Sequence, residues 1–230
     1  ALVLHTSGTT SRPKRVPLTH ANLVTSVRNV VETYRLTPED VSLCVMPLFH
    51  VHGLVASALA TFLSGGTVVV PSRFNALNFW PVVQSHGVTW FSAVPTIHQV
   101  LLNRAKSREG RGPAPEAHRG LRFIRSCSAP LPAATMLEME ERFGTPVLEA
   151  YGMTEAAHQM SSNPLPPGRR VPGSVGRGTG VSIAILDENG ALQPPGVRGE
   201  VAIRGPNVTR GYEDNPEANA RSFTNGWFRT

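Results

Sequence analysis

A chain of 230 residues with 40% hydrophobic side chains is long enough to bury a substantial core, as one large domain or as one with a smaller lobe. The net charge of +6 raises nucleic acid as a partner. The arginines that supply most of that charge are scattered, without interleaved aromatics or a nucleic-acid motif, so no nucleic-acid partner is expected. Cys44 and Cys127 stand far apart in apolar contexts without metal-ligand spacing, which gives no hint of a disulfide framework and suits core thiols in a reducing compartment, cytoplasmic with a peroxisomal address left open.

The apolar run Ala1-Leu2-Val3-Leu4 predicts a strand over 2–4, and a chain that starts in mid-strand reads as a piece of a longer protein. The strand leads into HTSGTTSRPK at 5–14, where Thr6, Ser7, Thr9, Thr10 and Ser11 surround Gly8 and Lys14 follows Pro13. Hydroxyls, backbone N–H groups and an ammonium are all donors, so this loop suits an anion with many oxygens, a polyphosphate above all; a solvated turn is the alternative. Its order differs from the P-loop, in which the lysine follows a glycine. Lys14 and Lys106 are the only lysines in an arginine-rich chain, which marks Lys14 as a position suited to a compact ammonium.

Further strands are expected at 41–46, 67–70, 89–93, 121–127 and 146–150, and helices at 21–34, 51–63, 78–86, 96–105 and 133–143. This alternation is the sign of an α/β fold, a mostly parallel sheet flanked by helices, over 1–165. The apolar stretch 51–63 is too short to cross a bilayer and contains His52, Gly53 and Ser57, so it is read as a buried helix, and no transmembrane segment is expected. The polar stretch 106–119 is read as an exposed loop. From 163 a Pro/Gly-rich connector leads to VSIAILDENG and GEVAIRG, two strands around a turn at 188–190, which predict a small β-rich lobe over 166–230.

Ligands of open parallel sheets gather at the carboxyl ends of strands. There the sequence places the hydroxyl loop, PLFHVHG at 47–53, SCSAP at 126–130 and YGMTEAAH at 151–158, so one edge of one sheet is expected to collect all four. His50 and His52 also suit satisfied core histidines, and Thr154-Glu155 suits a helix start with an acidic first turn. Together with Lys14, however, Glu155 makes a candidate Mg²⁺–triphosphate site, because Mg²⁺ takes one or two carboxylates plus substrate phosphates.

The hydroxyl loop resembles the phosphate-loop signature of the adenylate-forming acyl-CoA synthetase family. YGMTE at 151–155 resembles that family's second signature, and the segment 199–230 its third. The strings HTSGTTSRPK, PLFHVHG, AVPTIHQ, LRFIRSCSA and MTEAAHQMSSNPLPPG are similar to the oxalate-activating branch of the family. The resemblance implies an AMP-forming acid–thiol ligase that uses ATP, Mg²⁺ and coenzyme A. A small carboxylate, oxalate, is joined to the α-phosphate with release of pyrophosphate, and the thiol of coenzyme A then displaces AMP.

Carried over by resemblance, Thr6, Ser7, Gly8, Thr9, Thr10 and Lys14 hold the β- and γ-phosphates, and Thr154 bonds the α-phosphate. Glu155 holds Mg²⁺, Tyr151 stacks on adenine, and Ser128, Ala129 and Pro130 present backbone to adenine and the acyl group. Ser128 and His158 border the acyl pocket as donors to a carboxylate, with His52 and His98 adding to it. A ligase for a fatty or aromatic acid, and a nucleotide-binding relative without turnover, remain open. Ser11 and Arg15 depart from the pattern, both standing where glycine is usual; a positive φ at Arg15 would cost about 1–2 kcal/mol. The family's third signature continues into Gly-Asp and a C-terminal domain with a second lysine, so a chain ending at GWFRT is expected to be inactive by itself.

Overall fold

Short apolar strands carry the architecture. The computed structural model describes residues 1–6, 13–107 and 120–230. It begins with an antiparallel hairpin, β1 (Leu2–Thr6) and β2 (Lys14–Leu18), in which Thr6 faces Lys14. Then follow α1 (His20–Tyr34), β3 (Val41–Cys44), a π-helix (His52–Leu59) continued by α2 (Ala60–Leu63), β4 (Thr67–Val69), α3 (Phe79–Ser85), β5 (Trp90–Ala93), α4 (Pro95–Lys106), β6 (Phe123–Ser126) and α5 (Ala133–Phe143). β7 (Val147–Met153), a 3₁₀ turn (Thr154–Ala156), β8 (His158–Ser162) and β9 (Arg177–Gly178) lead to β10 (Ser182–Leu186), β11 (Glu200–Arg204), α6 (Pro216–Ser222), β12 (Phe223–Thr224) and β13 (Trp227–Arg229).

The central sheet has seven strands in the order β4-β3-β5-β6-β7-β8-β9; the first five run parallel, and β8 and β9 join antiparallel. Successive strand residues point to opposite faces. Trp90, Phe123 and Leu148 therefore pack with α1 and the π-helix, while Phe91, Ile124 and Val147 pack with α3, α4 and α5. Burial on both faces explains why these strands read as continuous apolar runs. The fold is thus α/β with a mostly parallel sheet, and β10, β11, β13 and β12 form a small antiparallel sheet beside it. Val181, Ile203, Tyr212 and Phe228 carry that second sheet into the core built on α1. Among the described residues no helix is long and apolar enough to cross a membrane.

Three expectations are corrected. β1 does not belong to the central sheet but pairs with β2, a strand the sequence did not suggest because Lys14, Arg15 and Pro17 occupy it. Proline is tolerated there because a two-stranded ribbon consists only of edges. The stretch 51–63 opens as a π-helix before it becomes α-helical. The turn at 188–190 does not join β10 and β11 directly: Asp187 Oδ1 accepts from the N–H groups of Asn189 and Ala191 at 2.9 and 2.8 Å, and the chain reaches β11 only at Glu200. Most of the expected exposed loop at 106–119 lies outside the described residues.

Candidate nucleotide and acyl site

The β1–β2 hairpin brings Lys14 to the second and third signatures. The Lys14 ammonium lies over the ring of Tyr212, with Nζ 4.7 Å from its centroid, and the Tyr212 hydroxyl donates to Glu155 Oε1 at 2.7 Å. The backbone of the same segment is tied down as well, because Thr209 N–H donates to the Glu155 carbonyl at 2.7 Å. Burial and the bond to Glu155 raise the Tyr212 pKa, so the phenol remains a protonated donor. Glu155 is itself buried, and its second carboxylate oxygen takes no hydrogen bond from a described residue. A single oriented carboxylate with one oxygen to spare, next to an ammonium, fits Mg²⁺ carried in by a polyphosphate. Thr6 stands opposite Lys14 at the base of the hairpin, whereas Ser7, Gly8, Thr9 and Thr10 lie outside the described residues.

Tyr212 received no role in the sequence reading, although it lies inside the third signature; its partner Glu155 is far away in the chain. Arg15 was read as a misfit. It is a strand residue without positive φ, so the expected strain is absent. Its side chain pairs with Glu213 at 3.4 Å and with Asp214, clamping the hairpin to the residues that follow Tyr212.

The acyl-side residues meet at the ends of β3, β6 and β7. His52 opens the π-helix, where it is fully buried; Ser128 follows β6 and is exposed; His158 starts β8. His52 Nδ1 lies 3.0 Å from Ser128 Oγ, and the His52 and His158 ring centroids are 5.3 Å apart. Two of these residues hold unusual backbone, Ser128 at φ 74° and His158 at φ 116°. Such strain persists only where the surroundings impose it, and it clusters at functional sites. Gly152 makes the His158 geometry accessible, since a Cβ there would sit 2.1 Å from the His158 carbonyl oxygen. Ala129 and Pro130 are exposed beside Ser128, and Leu131 N–H donates to buried Glu149 Oε1 at 2.9 Å, anchoring the end of this loop. Tyr151 lies half-buried at the end of β7, with its hydroxyl 3.4 Å from Thr230 Oγ1. Thr154 begins the 3₁₀ turn and is partly exposed.

Behind these residues lies Arg125, which sequence reasoning passed over as an ordinary strand residue. It is 0% exposed. Nε donates to Tyr34 Oη at 2.8 Å, Nη1 to Ser92 Oγ at 2.9 Å and Nη2 to Gln159 Oε1 at 3.0 Å. Burial, reinforced by the Arg125 charge, holds the pKa of both His52 and His158 well below the ordinary imidazole value, so both rings are neutral at neutral pH. His98 is fully buried on α4 against the Phe91 ring, 5.9 Å between centroids, and burial lowers its pKa to about 4. It stands in the wall of the fold.

Beside the carboxyl ends of the parallel strands, the fold thus gathers the ammonium of the β1–β2 hairpin, a buried carboxylate and a histidine–serine cluster. The chain belongs to the AMP-binding enzyme family, whose model matches residues 1–213. Over its full length it is 55% identical to an oxalate–CoA ligase of Arabidopsis thaliana and 54% identical to one of Saccharomyces cerevisiae. It spans 44% and 41% of the lengths of those two proteins. The ATP-bound structure of MatB from Rhodopseudomonas palustris superposes on it with a TM-score of 0.89 at 36% identity, over 99% of this chain and 44% of that one.

Proposed function

We propose that this chain is the phosphate- and acyl-binding part of an AMP-forming acid–CoA ligase whose acid is a small dicarboxylate, oxalate. The observation that carries the reading is the cluster of His52, Ser128 and His158, polar side chains brought together behind the strand ends. A fatty-acyl tunnel needs apolar lining, whereas these groups are donors with nothing to offer a hydrocarbon. The identity to oxalate–CoA ligases supports the same acid.

In this reading Thr6, Ser7, Gly8, Thr9, Thr10 and Lys14 hold the β- and γ-phosphates and stabilise the charge that grows on departing pyrophosphate. Thr154 bonds the α-phosphate, Tyr151 stacks on adenine, and Ser128-Ala129-Pro130 line the space between adenine and acid. Glu155, oriented by Tyr212, holds Mg²⁺, which neutralises triphosphate charge when bound. Ser128 and His158, with His52 behind Ser128, hold the carboxylate that does not react. Coenzyme A is the second substrate. Rate comes from positioning and charge neutralisation, and no side chain is required as a covalent nucleophile.

The test is AMP release by the full-length protein with oxalate, acetate, octanoate and cinnamate, each with ATP, Mg²⁺ and coenzyme A. Oxalate is expected to give the highest kcat/KM. A higher value for octanoate or cinnamate overturns the choice of acid, and AMP release with none of the four overturns the assignment as a ligase of this kind.

A further inference from the structure

The roles assigned above leave Arg125 unused. A guanidinium cannot be deprotonated in a protein and offers only donors. Buried charges are ordinarily paired, because an unpaired ion in a low-dielectric interior is costly. Yet Arg125 is 0% exposed, and no carboxylate among the described residues pairs with it. Its partners are a phenol, a hydroxyl and an amide oxygen, with the Cys127 side chain also beside it and His52 Nε2 and His158 Nδ1 each 3.5 Å from its terminal nitrogens.

Because Arg125 can only donate, this arrangement favours one placement of the neighbouring protons. His52 Nε2 faces Arg125 Nη1 at 3.5 Å and Ser92 Oγ at 2.6 Å, so that nitrogen presents its lone pair and the ring proton is on Nδ1. Ser92 then accepts from Arg125 and donates to His52. In that tautomer the Nδ1–H of His52 donates to Ser128 Oγ, 3.0 Å away, which leaves the Ser128 hydroxyl proton free. His158 Nδ1 likewise turns a lone pair toward Arg125, so its proton is on Nε2, at the far edge of the ring.

We propose that Arg125 is a positioning and specificity-determining residue: it orients the protons of Ser128 and His158 away from itself as donors to the substrate's second carboxylate, and it supplies the unpaired positive charge that carboxylate neutralises. This rests on the reading of the pocket as a dicarboxylate site. Arg125 touches no substrate. It acts through His52 and Ser128 on one side and His158 on the other.

The experiment compares oxalate with oxamate, which has the same size but carries a neutral amide in place of one carboxylate, in the full-length protein and its Arg125→Gln and Arg125→Lys variants. Arg125→Gln is expected to lower kcat/KM for oxalate by about a hundredfold, mostly through KM, because a charge-assisted carboxylate site has lost its charge. Oxamate and ATP should be affected far less, and Arg125→Lys should recover a large part of the preference for oxalate. Equal losses for oxalate and oxamate would mean a structural role and overturn the inference. In the unaltered protein, ¹⁵N spectra of labelled histidines should show His52 protonated on Nδ1 and His158 on Nε2; protonation of His52 on Nε2 overturns the inference whether or not the variants fold. An unaltered protein that prefers a monocarboxylic acid overturns the dicarboxylate reading and this inference with it. A preference for oxalate that Arg125→Gln leaves unchanged overturns this inference alone.

Discussion

Replacing Tyr212 with Phe removes one hydroxyl and leaves the ring in place. That hydroxyl donates to Glu155 Oε1 at 2.7 Å, between side chains only 6% and 5% exposed, and no other described side chain bonds that carboxylate. A hydrogen bond to a charged acceptor contributes about 1.5–3 kcal/mol. If Glu155 orients Mg²⁺, the loss should appear in the use of ATP as a fall of about 10- to 150-fold in kcat/KM, at tenfold per 1.4 kcal/mol. The KM for oxalate should not change, because the acyl side meets other residues. The Phe ring still lies under Lys14 and still meets Phe228, with centroids 6.3 Å apart in the native pair. Tyr212→Ala removes that support too and should cost about 0.5–2 kcal/mol more. Lys14→Ala should therefore be non-additive with Tyr212→Ala and nearly additive with Tyr212→Phe. The assay is oxalate-dependent pyrophosphate release at varied ATP and saturating Mg²⁺. An unchanged kcat/KM for ATP in Tyr212→Phe would show that Glu155 needs no orientation by this phenol, and the metal-site argument would lose its geometric basis.

Arg15→Gly removes the clamp on Glu213 and Asp214 from a side chain 44% exposed, so it should lower stability by about 1–2 kcal/mol, from solvent-screened pairs and a glycine in a strand, with little change in adenylation rate. A thermal shift measures this, and a large loss of rate at unchanged stability would mean that Arg15 reaches the nucleotide. Ser128→Ala should raise the KM for oxalate by about tenfold, the worth of one charge-assisted hydrogen bond, and leave the KM for ATP alone; equal effects on both would refute its placement on the acid. His52, His98 and His158 all have lowered pKa values in the folded protein, His98 about 4. The unfolded chain thus binds more protons below about pH 6.5, and stability present above that pH is lost as pH falls toward the folded values, at up to about 1.4 kcal/mol per pH unit for each ring. Urea midpoints at pH 7.5 and 5.0 check the sign, and an equal or higher midpoint at pH 5.0 would contradict it.

The parts of the fold that depend on local pattern were legible in the residues alone. The strands expected at 89–93 and 121–127 and the helix expected at 133–143 were legible in their apolar runs and periods, and the loops after β3, β6 and β7 displayed their histidines, serine and glutamate openly. What stayed hidden depends on contacts between distant residues. Lys14 to Leu18 looks too polar and too proline-marked for a strand until β1 pairs with it. Tyr212 gains its meaning from Glu155, 57 positions away, and Arg15 from Asp214, 199 positions away. Arg125 is the strongest case: nothing in its local sequence marks it, and only the closing of Tyr34, Ser92 and Gln159 around it makes it a buried cation. Local sequence sets which backbone a segment prefers, whereas the dielectric and partners of a charge are set by whatever the fold brings around it.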